Sequence, residues 1–218
     1  MSTKPENVDT PQGLAFALTA YVMWGFLPLY MKMLAHIPPT EVVAHRVIWS
    51  VPIAGVLLLL LGRMGDLKVA LRSPRVLLMG CVTAAFVSVN WGIYVWSVGS
   101  GYALEAALGY YINPLFSIAL GALLLGERLT RAQMVAVGLA TLAVIILTVE
   151  TGRLPLAALG LTVSWGFYAF FKKSLPIGPN QGFLLEVLIL TIPALGYIIY
   201  LTATGQSHFA NVRFDTLL

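Results

Sequence analysis

The sequence predicts an all-α membrane protein: a multi-pass helical bundle with inverted-topology five-helix repeats, seven helices present of an expected ten. Three observations predict it. Apolar residues make up 59% of the 218 residues and charged residues 10%, with a mean hydropathy of +0.87. A water-facing surface needs roughly 25% charged residues, so lipid is the solvent this composition fits. Seven runs approach or exceed the roughly 20 residues that a membrane helix takes. The third observation is self-similarity at a fixed spacing, described below.

The runs lie near 14–34, 41–62, 75–98, 102–125, 131–149, 154–174 and 182–203. Thirteen residues containing Glu6 and Asp9 precede the first, and no small-residue cleavage site follows a short apolar stretch. It reads as a retained helix rather than a cleaved leader. Pro38-Pro39 breaks the chain before the second run, since proline cannot continue a preceding helix. The longest connection, Arg63 to Pro74, is polar and basic. Gly126 ends the fourth run, and Thr130-Arg131-Ala132-Gln133 reads as a capping box opening the fifth. The single cysteine, Cys81, excludes an internal disulfide and a zinc cluster.

Lysine and arginine set the orientation. With the N-terminus in the cytoplasm, Lys4, Arg63, Lys68, Arg72, Arg75, Arg128, Arg131, Lys172 and Lys173 fall inside. Lys32, Arg153 and Arg213 fall outside, and Arg46 lies within a run. This bias predicts a cytoplasmic N-terminus. It also attributes the net charge of +4 to topology rather than to a nucleic-acid partner.

Sliding the sequence by 141 residues aligns Trp24-Gly25-Phe26 with Trp165-Gly166-Phe167. Lys32, Leu34 and Pro38 then meet Lys173, Leu175 and Pro179, and Pro52 and Gly55 meet Pro193 and Gly196. Over 14–62 there are 13 identities in 49 positions. Shared leucines follow from composition; aligned Trp, Gly, Pro and Lys do not. The first repeat is therefore 14–149, and 154–218 holds two helices of a second and the start of the next. Five helices per unit reverse the direction of the second copy, the inverted architecture of many carriers, with solute bound near the midplane. At this spacing the second copy would run to roughly residue 290. The expectation is a C-terminal truncation, with a second copy or another chain completing the repeat.

Leu108-Gly109-Tyr110-Tyr111-Ile112-Asn113-Pro114-Leu115, followed by Leu125-Gly126-Glu127-Arg128-Leu129, resembles the RarD branch of the EamA-type drug/metabolite transporter superfamily. His45-Arg46-Val47-Ile48-Trp49-Ser50 and Asn90-Trp91 are similar to that branch too. The resemblance covers essentially the whole chain. It implies a ten-helix permease of the bacterial inner membrane, a small organic solute or drug as cargo, and export as the direction.

Ionisable groups inside a bilayer cost at least a few kcal/mol each, which singles out His45, Arg46, Glu105 and Glu186 as coupling or gating candidates. Arg46 either pairs with Glu105 at a shared depth or snorkels to the interface. His45 and Glu186 correspond under the 141-residue shift, in opposite leaflets; they read as gate elements or as helix-end polarity. Gly101, Glu105, Gly109, Asn113 and Ser117 form a stripe at four-residue spacing. Asn113 faces either a cavity, beside the Tyr110 carbonyl that Pro114 leaves free, or a packing seam. Asn90, Tyr94 and Trp24 are the other solute-binding candidates, aromatics suiting a flat ligand. Pro52, Gly55, Pro114, Pro193 and Gly196 are hinge candidates, because paired interruptions in two halves point to a transport site.

Walker-type loops, the Gly-x-Ser-x-Gly elbow and metal-ligand His spacing are lacking. The expectation is no enzyme, no cofactor and no metal. The function expected is secondary transport by alternating access. The alternative is a non-transporting fragment or assembly partner.

Overall fold

Prolines and capping residues decide where the helices begin. The computed structural model describes residues 10–209. Lys4, Glu6, Asp9 and Arg213, used above for the leader and the orientation, lie outside the described residues. Among the described residues eight helices follow in order: α1 (Pro11–Met33), α2 (Pro39–Leu60), α3 (Met64–Leu71), α4 (Pro74–Gly99), α5 (Ala103–Leu125), α6 (Arg131–Thr151), α7 (Leu156–Lys173) and α8 (Pro179–Ala203). Pro11, Pro39, Pro74 and Pro179 stand at the first helical position. The ring pre-sets the helical φ there, and the missing N–H had no helical acceptor in any case.

Each of the seven apolar runs is a helix, and six are long and apolar enough to cross a membrane. The remaining one, α7, is 18 residues long and buries one face through Ala157, Ala158, Leu161, Thr162 and Ser164. The capping box is present in both halves: Gln133 N donates to Thr130 Oγ1 at 3.3 Å and Thr130 N to Gln133 Oε1 at 2.9 Å. Gly126 caps α5 with a φ of 67°, a left-handed conformation that glycine adopts without a Cβ penalty. The connection after α2 departs from a plain polar link. It folds as α3, which buries Leu67 and Ala70 and is tied to α8 by Gln181 Nε2 donating to Asp66 Oδ2 at 3.1 Å.

Helices α2, α4, α5, α7 and α8 make the body, with α2 lying most extensively against α8, and α5 against α7. Lipid supplies no hydrophobic drive between helices, so close backbone approach matters more than apolar area. At Gly109 an added Cβ would stand 2.7 Å from the Ala158 carbonyl oxygen, so only glycine permits this approach. The Thr162 hydroxyl shares its proton there between Gly109 O at 2.9 Å and Ala158 O at 2.8 Å. Helices α1 and α6 lie at the margin: α1 buries only Met31, and α6 buries no residue. Leu14, Phe16, Leu124 and Val149 are among many exposed apolar side chains, as a lipid-facing surface requires.

Candidate functional site

Lys68, Arg72, Arg75, Arg128, Arg131, Lys172 and Lys173 gather at one end of the bundle, called here the basic end. The α1–α2 and α4–α5 connections mark the far end. Between them, α4, α5 and α7 are joined by one amide. Asn90 is fully buried; its Nδ2 donates to Leu161 O at 3.1 Å and to Ser164 Oγ at 3.0 Å, and its Oδ1 accepts from the Tyr110 hydroxyl at 3.2 Å. Both N–H donors are spent, so Asn90 holds three helices in register and orients Tyr110 rather than offering itself to a solute.

From that joint runs a row of aromatic rings. Tyr94 meets Tyr110 at 5.9 Å between ring centroids, Tyr110 meets Trp165 at 6.3 Å, and Trp165 meets Tyr168 at 5.2 Å. These separations are ordinary for edge-to-face and tilted pairs. The row ends at the basic end in an ion pair. Lys172 Nζ donates to Glu186 Oε1 at 2.7 Å, and the Tyr168 hydroxyl donates to Glu186 Oε2 at 3.2 Å. Glu186 is fully buried and Lys172 retains 19% side-chain exposure. Lys172 does not simply face the water at its helix end; it folds back to neutralise a carboxylate about 10 Å inside α8, at 1.5 Å rise per residue.

Arg46 stands beside the other end of the row. Its guanidinium carbon lies 4.3 Å from the centre of the Trp91 ring, and it is within electrostatic range of the Tyr94 and Tyr110 phenols. The predicted Arg46–Glu105 pair does not form. Arg46 is seven residues into α2 and Glu105 two residues into α5, so their depths differ by about 7 Å. Glu105 pairs with Arg153 instead, whose guanidinium also covers the Tyr102 ring at 4.7 Å. Snorkelling is not observed either. Trp91 is eight residues below the far end of α4, so the guanidinium rests at depth on a ring.

At the far end Glu41 is fully buried in the first turn of α2. It accepts from the backbone N–H of His208 at 2.9 Å and of Phe209 at 3.2 Å, and from Ser207 Oγ at 3.2 Å, while His208 Nδ1 lies 2.9 Å away. The segment after α8 thus folds over the start of α2. His45, the gate candidate, belongs to this layer: its ring centroid is 4.2 Å from that of Phe209, and its Nε2 is buried without a hydrogen bond among the described residues. His45 and Glu186 make separate contacts at opposite ends.

The structure brings Arg46, Asn90 and Tyr94 together and leaves other candidates apart. Trp24 is 61% exposed and contacts Tyr21, so the first repeat's tryptophan does not line the row as its counterpart Trp165 does. Asn113 lies one turn beyond Gly109 on the same face of α5, the seam against α7. It is 6% exposed, and its carboxamide has no hydrogen-bond partner among the described residues. The stripe is a packing seam there, because Gly109 admits Ala158 where a cavity would need space. Pro52, Pro114 and Pro193 interrupt nothing visible: α2, α5 and α8 continue through them, and the sites of Gly55 and Gly196 are open. A hollow of about 690 Å³ beside α3, lined by Asp66, Ser73 and Gly178, contains no candidate residue.

Residues 11–149 match the EamA-like transporter family. The chain is 46% identical over 207 residues to Protein RarD of Streptomyces exfoliatus, covering 95% of this chain and 65% of that protein. The chain belongs to the EamA-like transporter family, in its RarD branch. Protein RarD of Escherichia coli K12 is 38% identical over 203 residues, covering 93% of this chain and 69% of the relative. An uncharacterized transporter of Vibrio cholerae is 39% identical over 210 residues, covering 96% and 70%. The chain thus spans about two thirds of the length of these relatives. No solved structure matches.

Sequence reasoning passed over Glu41, Trp91, Tyr110, Trp165, Tyr168 and Lys172 as site residues. For Glu41 a signal exists: a carboxylate at the start of an apolar run, two residues after Pro39. Ring placement around α4, α5 and α7 has no comparable signal, since these helices are apolar on most faces.

Proposed function

We propose that this chain belongs to a secondary transporter moving a small organic solute across the bacterial inner membrane by alternating access, outward from the cytoplasm. The observation that carries the reading is the row Tyr94–Tyr110–Trp165–Tyr168, which links Arg46 in the far third of the bundle to the Lys172–Glu186 pair at the basic end. A path of ring faces suits weakly polar cargo, because it attracts without binding tightly at any one point. With the basic end in the cytoplasm and the N-terminus inside, Glu186 is the inner gate and coupling carboxylate, held shut by Lys172. The layer of Glu41, His45 and residues 207–209 is the outer closure.

The inverted repeat supports this reading. Shifted by 141 residues, α2 and α8 start within one residue of each other, and these two helices form the most extensive pair. Opposed helices from two halves packing on each other is the arrangement in which one half rocks against the other. The family's transporter relatives point the same way.

The test uses proteoliposomes loaded with a pH-sensitive dye and challenged with small carboxylates, amines and neutral aromatic amides. The expected result is solute-dependent dissipation of an imposed pH gradient, lost in Glu186→Gln. No signal with any solute class overturns the transport reading.

A second reading is favoured by the margins of the fold. With α1 burying only Met31 and α6 burying no residue, the chain serves as an assembly module covered by a second copy or another chain. Native mass spectrometry decides: a transporting monomer removes this reading, and a silent complex supports it.

A further inference from the structure

We infer that Arg46 is the receptor for the anionic group of the solute, and that the cargo is a small aromatic monocarboxylate. The inference rests on the transport reading for its cargo, although the binding site stands without it. Its starting point is the charge balance of the spans. The buried carboxylates of the spans have partners: Glu41 accepts from Ser207, His208 and Phe209, Glu105 pairs with Arg153 through one oxygen, and Glu186 pairs with Lys172 and Tyr168, while Glu150 lies exposed at the end of α6. Arg46 lies seven residues into α2 with no carboxylate within 4.0 Å among the described residues, whereas the other unpaired cations of the spans, Lys32, Arg75 and Arg131, stand within the first or last two residues of their helices. An arginine at membrane depth is costly and is ordinarily paired. A ring face attracts it, but supplies no counter-charge.

The geometry leaves the right part of the group available. A guanidinium carries its five N–H donors around its edge, in the plane. Arg46 meets Trp91 with the cation over the ring, and among the described residues none of its N–H groups has a hydrogen-bond acceptor. A carboxylate can take two parallel N–H bonds from such an edge. Arg46 is only partly buried, whereas Trp91 and Tyr94 beside it are buried. Tyr110 is held in position by its bond to Asn90. Tyr110, 38% exposed, is the ring of this group open to a flat body next to the charge.

The sign and size of the charge narrow the class further. An amine would meet an unneutralised cation, and a phosphate dianion would bring one charge too many for a single guanidinium. A monocarboxylate matches it one to one. The aromatic body follows from Tyr110, the exposed ring beside the charge.

The test is binding to the purified chain in lipid nanodiscs, read by tryptophan fluorescence, with benzoate, its neutral isostere benzamide, and benzylamine as probes. The expected result is benzoate binding at least about tenfold tighter than benzamide, since a site built for hydrogen bonds rejects a poorer match, with benzylamine weakest. Arg46→Gln is expected to bring benzoate down to the level of benzamide, and Arg46→Lys to keep part of the preference. Equal binding of benzoate and benzamide to the unaltered chain overturns the proposal, as does failure of benzoate to bind. Unchanged benzoate binding by Arg46→Gln overturns it too. If that variant does not fold, the benzoate-to-benzamide ratio of the unaltered chain still decides. Benzoate binding without any solute-driven signal in proteoliposomes removes the transport reading and keeps the anion site; transport of neutral solutes without benzoate binding does the reverse.

Discussion

The two charged groups that flank the aromatic row are treated in opposite ways. At the basic end Glu186 is fully buried and satisfied from within, by Lys172 at 2.7 Å and Tyr168 at 3.2 Å. Toward the far end Arg46 has a ring at 4.3 Å and, among the described residues, no carboxylate within 4.0 Å. Burying a charge is tolerated when it is paired and hydrogen-bonded. The first group therefore behaves as a latch that the protein closes on itself, and the second as a contact that something else completes. The difference teaches that burial alone does not tell which charge is satisfied; Glu186 is the more buried and is paired, whereas Arg46 has no carboxylate partner among the described residues.

The comparison is broken most severely by removing the internal partner. Lys172→Ala leaves Glu186 buried and unpaired, and removing one member of a buried pair costs about 3–5 kcal/mol. The expected outcome is a large drop in thermal stability in detergent. The double variant Lys172→Ala with Glu186→Gln should recover most of it, because no uncompensated charge then remains. If Lys172→Ala alone unfolds at the temperature of the unaltered chain, the latch carries no energy and the contrast with Arg46 disappears.

A smaller effect sharpens the contrast from the middle of the row. Asn90 uses both N–H donors and one acceptor position to join α4, α5 and α7. Asn90→Ala strips partners from the Tyr110 hydroxyl and Ser164, at about 1–3 kcal/mol for a buried polar group left unmatched. Benzoate binding should weaken as well, because Tyr110 loses what orients it beside Arg46. Tyr110→Phe on the unaltered Asn90 background should cost less, about 1 kcal/mol. Equal losses for the two variants would show that the Leu161 and Ser164 bonds contribute nothing.

Much of the fold was legible because helix ends carry local chemistry. Pro39, Pro74, Thr130 and Gly126 are start and stop signals whose physics does not depend on neighbouring helices. Helix α3 was not legible: eight residues with two buried side chains make no periodic signature. The site divides the same way. Arg46, Asn90 and Glu186 stand out as polar residues in apolar runs, and each lies at a structurally eventful position. Their partners do not follow from the sequence. In water, an amphipathic stripe says which face of a helix turns inward; in lipid, both faces are apolar and that stripe is lost. Trp24 and Trp165 show the consequence: the repeat equates them, yet one is 61% exposed and the other sits within the row. Depth misled as well. Glu105 and Arg46 were read at one level because a run's end is blurred by several residues, and at 1.5 Å per residue this suffices to separate them.

Glu105 supplies the finest test of the comparison, since it resembles Glu186 in sequence and differs in setting. It lies two residues into α5 with its own side chain 12% exposed, and water reaches the pair through its partner Arg153, which is 48% exposed. A pair reached by water is screened and contributes about 0–1 kcal/mol. Glu105→Gln should therefore change thermal stability by less than about 1 kcal/mol and leave the pH dependence of transport where it was. Glu186→Gln, removing a carboxylate sealed from water, should abolish that dependence. The two variants belong in one proteoliposome experiment at matched protein content. A shifted pH profile in Glu105→Gln with none in Glu186→Gln would move the coupling carboxylate to the far end. Arg46 would then lie one layer below a titrating group rather than across the bundle from it, and the inner pair would be a strut instead of a gate.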